Sequence, residues 1–407
     1  MGIGSAANFA SDYIAVVDID FYAYLRDPAN GATESALVMT GAFWDGASLN
    51  WLLFEGCKFR FFTTNIDVNP IATQTDNPLH TVQNLYVRRN IIVDAYSSGA
   101  ANAGEGVLIS GATNFVMDEN LFDHNYSDTV TGAGPNVFRH NFYIGGFVPD
   151  GTSITPNTGT LAFANAKGNI STNDPSGSHF RSGGNITDNL FAYNPYQFDI
   201  GAPGVGSVNT VANNVFLSSI NNAMASGYGP ITMDNGSIYQ NDNYAIGTIS
   251  FQNNVIAHSV GLAAAQGIGI TVGFNGVTVT NNIICGWTTG APIVDGNGAN
   301  SGNTISPNYT KSADCNAGGW ANQPPGLVDG TRTIETYDSA ILGGPGTFAH
   351  FIGLARQQSK GNWNPALMAD AVNNYIRAGF GISSGTTSTS STATSTLPYL
   401  PSRSTHQ

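Results

Sequence analysis

The stretch Leu85-Tyr86-Val87-Arg88-Arg89-Asn90-Ile91-Ile92 decides the fold. Apolar residues alternate up to a polar pair, an Asn follows, and two apolar residues come directly after it. The order returns as Phe115-Val116-Met117-Asp118-Glu119-Asn120-Leu121-Phe122, and in shorter form around Asn169, Asn189, Asn214, Asn254 and Asn282. Cys57 holds the Asn place in an earlier copy, Leu52-Leu53-Phe54-Glu55-Gly56-Cys57-Lys58-Phe59. Period-two alternation marks short strands. A recurring unit too small to bury its own apolar face has to stack on its neighbours. The Asn is expected at the bend between two strands, where it tolerates left-handed backbone geometry and where stacked amides bond in a ladder.

Working outward, another short strand with a Gly-rich exit precedes each Asn strand, as in Gly106-Val107-Leu108-Ile109, Asn141-Phe142-Tyr143-Ile144-Gly145 and Ser178-His179-Phe180-Arg181. Each coil therefore has three strands, and the fold class is all-β: a right-handed parallel β-helix. Two long steps, from Asn120 to Asn169 and from Asn214 to Asn254, read as coils carrying an insertion. The organisation expected is a solenoid over 1–345 with irregular C-terminal loops, a helical cap over 346–381 and a Ser/Thr-rich disordered tail over 382–407. Asn364-Pro365 starts the helix, and the apolar spacing through Leu367, Ala371, Val372, Tyr375 and Ile376 continues it, so that it would cover the last coil. Tyr13 to Phe21 already reads as a coil, with no cap before it. Solenoids need caps, which suggests a missing N-terminal segment or a homo-oligomer.

Composition agrees. Gly is 49 of 407 residues and charged residues are only 10%, which suits turns and neutral polar surface rather than a helical bundle. The net charge of −13 argues against nucleic-acid partners. Half of the Lys and Arg residues nevertheless fall between 58 and 181 (Lys58, Arg60, Arg88, Arg89, Arg139, Lys167, Arg181), which fits either an anionic chain in one groove or a set of ion pairs. No apolar run is long enough to span a membrane, and no signal peptide is visible. Cys285 and Cys315 are able to pair, while Cys57 lies many coils from Cys285.

These coils resemble the pectate-lyase-like right-handed β-helix superfamily over about residues 13–290. The resemblance rests on the Asn-bend repeats and implies the architecture, an extracellular or secreted setting and an activity on polysaccharide. Lyases, hydrolases, epimerases and tailspikes share that architecture, so it does not choose among them. The Asp-Pro-His-Glu, Asn-Thr-Asp and Trp-Ile-Asp-His signatures of its known branches are absent.

The resemblance also implies that substrate lies along the outer face of the Gly-terminated strands. Aligned, these place Leu108, Tyr143 and His179 in one column and Ser110, Gly145 and Arg181 in the column two residues on. A β-eliminating lyase needs a group to neutralise the uronate, a base for the C5 proton and an acid for the leaving oxygen. Arg181, His179 and Tyr143 fit these roles, with Arg139, His140 and Asn141 as substrate contacts and His140 of doubtful parity. A hydrolase or transglycosylase would instead use carboxylates such as Asp123 and Glu105, with His124 beside Tyr143. Asp94, Asp123 and Asp128 also offer oxygen ligands for Ca²⁺, although no cofactor or metal motif is present. A third reading is a non-catalytic, tailspike-like solenoid that binds glycan. Glu55, Arg88 and Asp118, followed by Arg89 and Glu119, read as an ion-pair ladder between coils.

Overall fold

The computed structural model describes residues 2–3, 13–30, 40–44, 49–68, 82–97, 104–109, 112–125, 139–145, 163–174, 176–180, 183–201, 208–219, 231–233, 247–258, 267–270, 276–286, 291–296, 298 and 301–382. Among them three parallel sheets dominate, and the chain is a right-handed parallel β-helix of three strands per coil. Sheet B has nine strands from Ile14–Val17 to Val277–Thr280, sheet C ten from Asp20–Tyr22 to Tyr309–Lys311, and sheet A ten from Gly2–Ile3 to Ile293–Asp295. The chain runs from B to C to A in each coil, so sequence repeats become lateral neighbours: Leu52 faces Leu85, and Ile91 faces Leu121. Of the expected tail over 382–407, all but Ile382 lies outside the described residues.

Alternation sends Val16, Phe54, Val87, Met117, Ile186, Phe251 and their counterparts into one continuous core down the solenoid. Phenylalanines stack along it, Phe191 on Phe216 at 4.9 Å between ring centroids. Burial of each such side chain contributes roughly 1.5–3 kcal/mol.

The bend from B to C corrects the expected role of its Asn. The left-handed residue is the one before it: Arg89 (φ 54°), Glu119 (φ 54°), Asp188 (φ 58°), Asn213, Asn253 and Asn281, or a glycine at Gly56 and Gly168. The Asn that follows points inward and bonds between coils. Asn120 Oδ1 accepts from both the backbone N–H and Nδ2 of Asn90, each at 3.0 Å, while Asn120 Nδ2 donates to Val87 O at 2.8 Å. The pattern continues through Asn169, Asn189, Asn214, Asn254 and Asn282 to Asn308, a rung the repeat search did not include. Each left-handed non-Gly residue costs about 1–2 kcal/mol, and the bonds the ladder satisfies offset it.

The corner from C to A follows the same rule. Asp94, His124, Asn173, Tyr193, Ser218 and His258 are left-handed, and the residue after each of the first five is buried. There Asn125 bonds Asn65 and Asn141, Asp174 accepts from the Asn141 N–H, and Asn194 accepts from the Asp174 N–H. Gly106 occupies the coil between Asn65 and Asn141, where a Cβ would lie 2.3 Å from Asn141 O.

Sheet C differs from the other two in the apolar character of its outer face, which is buried along its middle strands. Ile91, Leu121, Ile170, Leu190, Val215, Val255 and Ile283 turn away from the solenoid core and pack against a helical arm. The arm comprises α1 (Ile334–Ala340), α2 (Phe348–Arg356) and α3 (Ala369–Gly379), preceded by a 3₁₀ turn at Pro365–Leu367 that Asn364 caps. The expectation that this helix covers the last coil is corrected: the arm lies along the flank. Arg356 pairs with Asp94 and Asp123, Asn373 donates to Asp188 O at 2.9 Å, and Arg377 donates to Asn253 O at 2.5 Å. An apolar outer face on C and a helical stripe opposite it are each unstable in water and close on one another. Cys285 and Cys315 form a disulfide that ties the last coils to the arm side. Among the described residues no helix is long and apolar enough to cross a membrane.

The basic residues from 58 to 181 do not share one groove. Arg60 pairs with Asp20 at 2.7 Å, Arg88 with Glu55 at 2.8 Å and Arg89 with Glu119 at 2.6 Å, on sheets B and C or the bend between them. The ion-pair ladder is therefore present, and Arg139 alone of the six described stands on sheet A, Arg181 lying outside the described residues.

Candidate functional site

The outer face of sheet A holds the densest cluster of chemistry-bearing side chains. The register places Asp67, Leu108, Tyr143, His179, Asp199 and Thr232 in one outward column. Their sequence neighbours Ile66, Val107, Phe142, Phe180 and Ile200 fill the core, which fixes the parity. The expected Leu108–Tyr143–His179 column is thus correct. Of the next column, Gly145 is described, while Ser110 and Arg181 lie outside the described residues.

A bend at the start of these strands brings a second set to the same side. Asn65-Ile66 and Asn141-Phe142 turn inward in succession, so Thr64, Glu105 and His140, one residue earlier, stand outside beside the first column. His140 therefore belongs with the cluster. Its ring centroid is 4.2 Å from that of His179 and 5.4 Å from that of Tyr143. Tyr143 stacks on His179 at 5.7 Å and 16°, and Tyr196 meets His179 edge-on. Asn141 is corrected from substrate contact to scaffold, since it is fully buried and bonds Ser171 Oγ and Thr172 O. Arg139 is buried at the strand start, opposite Gly104.

Hydrogen bonding sets the protons on the two histidines. Nε2 of His179 lies 2.7 Å from Ser176 O, and Nδ1 of His140 lies 3.0 Å from Gly177 O. A carbonyl only accepts, so each of these nitrogens carries hydrogen. Nδ1 of His179 faces Asp199 Oδ2 at 3.2 Å. Glu105 is buried against Asp67 and Asp174. Burial foremost, then the charges of those two carboxylates, raise its pKa well above the usual range, and among the described residues its Oε2 has no hydrogen-bond partner. The shift favours the form of the carboxyl that is able to give a proton.

The Asp123–His124 cluster is elsewhere. Asp123 ends a strand of sheet C and accepts from Thr172 Oγ1 at 2.8 Å and Asn173 Nδ2 at 2.7 Å, with the Arg356 guanidinium 3.0 Å away. His124 pairs with Asp94 at 2.9 Å at the C–A corner. Asp123 and Glu105 are therefore not the carboxylate pair of a hydrolase, and His124 serves the arm. Arg356 rather than an ion joins Asp94 to Asp123, and Asp128 lies outside the described residues. Among the described residues no group of three or more His, Cys, Asp or Glu is placed to hold a metal ion.

Asp67, Asp174, Tyr196 and Asp199 escaped the sequence reading. Asp199 was within reach of it, because the Asn169-to-Asn189 step of 20 residues carries His179 onto Asp199. Asp67 was not, since insertions of unequal length separate it from Leu108. No protein-family model matches the chain, and no curated protein matches it in sequence.

Proposed function

We propose that the chain is an extracellular carbohydrate-active enzyme that cleaves an acidic polysaccharide by β-elimination on the outer face of sheet A. The observation that carries this reading is the ring cluster of Tyr143, His140 and His179, backed by Asp199 and flanked by Glu105, whose pKa burial raises. The Tyr143 side chain, half-buried on the outward column, is the group assigned to take the C5 proton, its own phenolic proton passing first to His140 beside it. Glu105 supplies a proton to the uronate carboxyl or the departing oxygen. General acid–base groups of this kind contribute about 10²–10⁴-fold each. The resemblance of the Asn-bend coils to the pectate-lyase-like superfamily supports the substrate class, and the Cys285–Cys315 disulfide supports an oxidising, extracellular compartment.

One observation favours a second reading. Glu105 lies beside Asp67, and a protonated carboxyl next to a carboxylate is the arrangement of a glycoside hydrolase. A panel of uronate-containing and neutral polysaccharides separates the two. Ultraviolet absorbance from unsaturated uronate ends is expected, falling about 100-fold or more in Tyr143→Phe. New reducing ends without that absorbance, abolished by Glu105→Gln, would establish hydrolysis instead. Neither product would leave a glycan-binding solenoid.

A further inference from the structure

We infer that Asp174 is a positioning residue that holds His140 and His179 in opposite tautomers through one short segment of backbone. The inference concerns the site proposed above and rests on that reading for its catalytic meaning, while its geometry stands alone.

Asp174 occupies the ladder position that follows a left-handed residue at the C–A corner, where the other coils place Asn125 and Asn194. It is fully buried. One carboxyl oxygen accepts the N–H of Asn141 at 2.8 Å, so it continues the ladder. The other accepts the N–H groups of Ser176 and Gly177, each at 3.1 Å. An amide has one acceptor oxygen, and a carboxyl has two. Asp at this rung therefore does what Asn in the same place does not: it serves the ladder and ties down the next peptides.

The same turn addresses the histidines, one of them from the Ser176–Gly177 peptide whose N–H Asp174 holds and the other from the peptide that follows it. The Ser176 carbonyl takes the Nε2 hydrogen of His179, and the Gly177 carbonyl takes the Nδ1 hydrogen of His140. The turn is confined further at Gly177, whose φ is +84° and where a Cβ would lie 2.7 Å from Tyr196 Cδ1. His140 is thus held with Nδ1 hydrogen-bearing and Nε2 as its basic nitrogen. In His179 the order is reversed, and Nδ1 is turned to Asp199 at 3.2 Å. Two rings 4.2 Å apart are held through different nitrogens by two adjacent carbonyls of the turn that Asp174 pins.

Long-range ¹H–¹⁵N spectra of the histidine side chains test this on the full chain without any substrate. His140→Gln and His179→Gln assign the two signals among the seven histidines. The expected result is an Nδ1–H pattern for His140 and a pattern with Nε2–H retained for His179. In Asp174→Asn, which keeps a ladder oxygen, both signals should move toward the averaged pattern of a freely exchanging imidazole. Wild-type histidines sharing one tautomer, or averaging already, would overturn the inference even if the variant failed to fold. An Asp174→Asn protein that folds with both signals unmoved would also overturn it. Because no activity is read, failure of the lyase proposal would leave these outcomes distinct.

Discussion

At the residue scale the fold is a matter of which side chain follows a left-handed backbone. The Asn repeats were legible because each rung needs both an amide donor and an amide acceptor, and only Asn or Gln has the two on one short stem. The exact left-handed position was not legible, since Arg89, Glu119 and Asp188 carry it without any composition signal. Cys57 tests the rule. Its Sγ lies 3.4 Å from Val16 O, the place that Asn90 Nδ2 fills toward Phe54 O one coil on, and its N–H donates to Asn90 Oδ1. Burial raises the thiol pKa, so it is an inert, poor donor. Cys57→Asn would give Val16 O a true amide donor and extend the ladder by one rung. Each net hydrogen bond contributes about 0.5–1.5 kcal/mol, so a rise of about 1 kcal/mol in unfolding free energy is expected from urea denaturation. A loss of stability would mean that the first coil does not accept the ladder geometry.

At the element scale the sequence carried a second message that the strand search passed over. Ile91-Ile92-Val93, Leu190-Phe191-Ala192 and Val215-Phe216-Leu217 are apolar at every position, and such strands are covered on both faces. The covering element was foreseen as a helix, but its berth on the flank of C rather than on the final coil follows from long-range pairing that local periodicity does not encode. Arg356 is the pin of that berth, with Asp94 and Asp123 on the solenoid. Burial raises the pKa of Asp123, and Arg356 is the chief opposing charge. Removing one partner of a buried pair costs about 3–5 kcal/mol. Partial exposure of Arg356 reduces this, so Arg356→Ala is expected to cost about 2–3 kcal/mol. Hydrogen exchange should quicken first in α2. Adding Asp123→Asn should recover part of the loss, because the stranded charge is then gone. An Arg356→Ala protein with unchanged exchange in α2 would show that the apolar contacts alone hold the arm.

At the scale of the whole molecule, the acidic balance should make stability fall as pH rises toward neutrality. Asp370, on the first turn of α3, meets Asp188, Glu119 and Lys167 on the solenoid, and its Oδ1 is buried without a hydrogen-bond partner. Burial first, then Asp188, push its pKa up to about 6 against the pull of Lys167. Asp118 is likewise pushed up to about 6 by burial and by Glu119, against Lys167 and Arg88. In an unfolded chain both titrate near ~3.9. Between roughly pH 4 and 6 the folded molecule therefore keeps protons that the unfolded chain has released, and its stability declines with pH across that window. Burial also raises Glu105 and Asp174, which act in the same sense. Asp314 and Asp329 have lowered values, held down by Lys311 and Thr331 respectively, so their opposite effect falls below ~pH 4, outside the window. Unfolding free energies measured in urea at mildly acidic and at mildly alkaline pH should thus show the acidic sample to be the more stable. Asp370→Asn should narrow the difference by stabilising the alkaline sample, since it removes the charge that the docked arm disfavours. If wild-type stability instead rises across the window, the arm carboxyls are ionised at no cost, and the account of how α3 meets the solenoid is wrong.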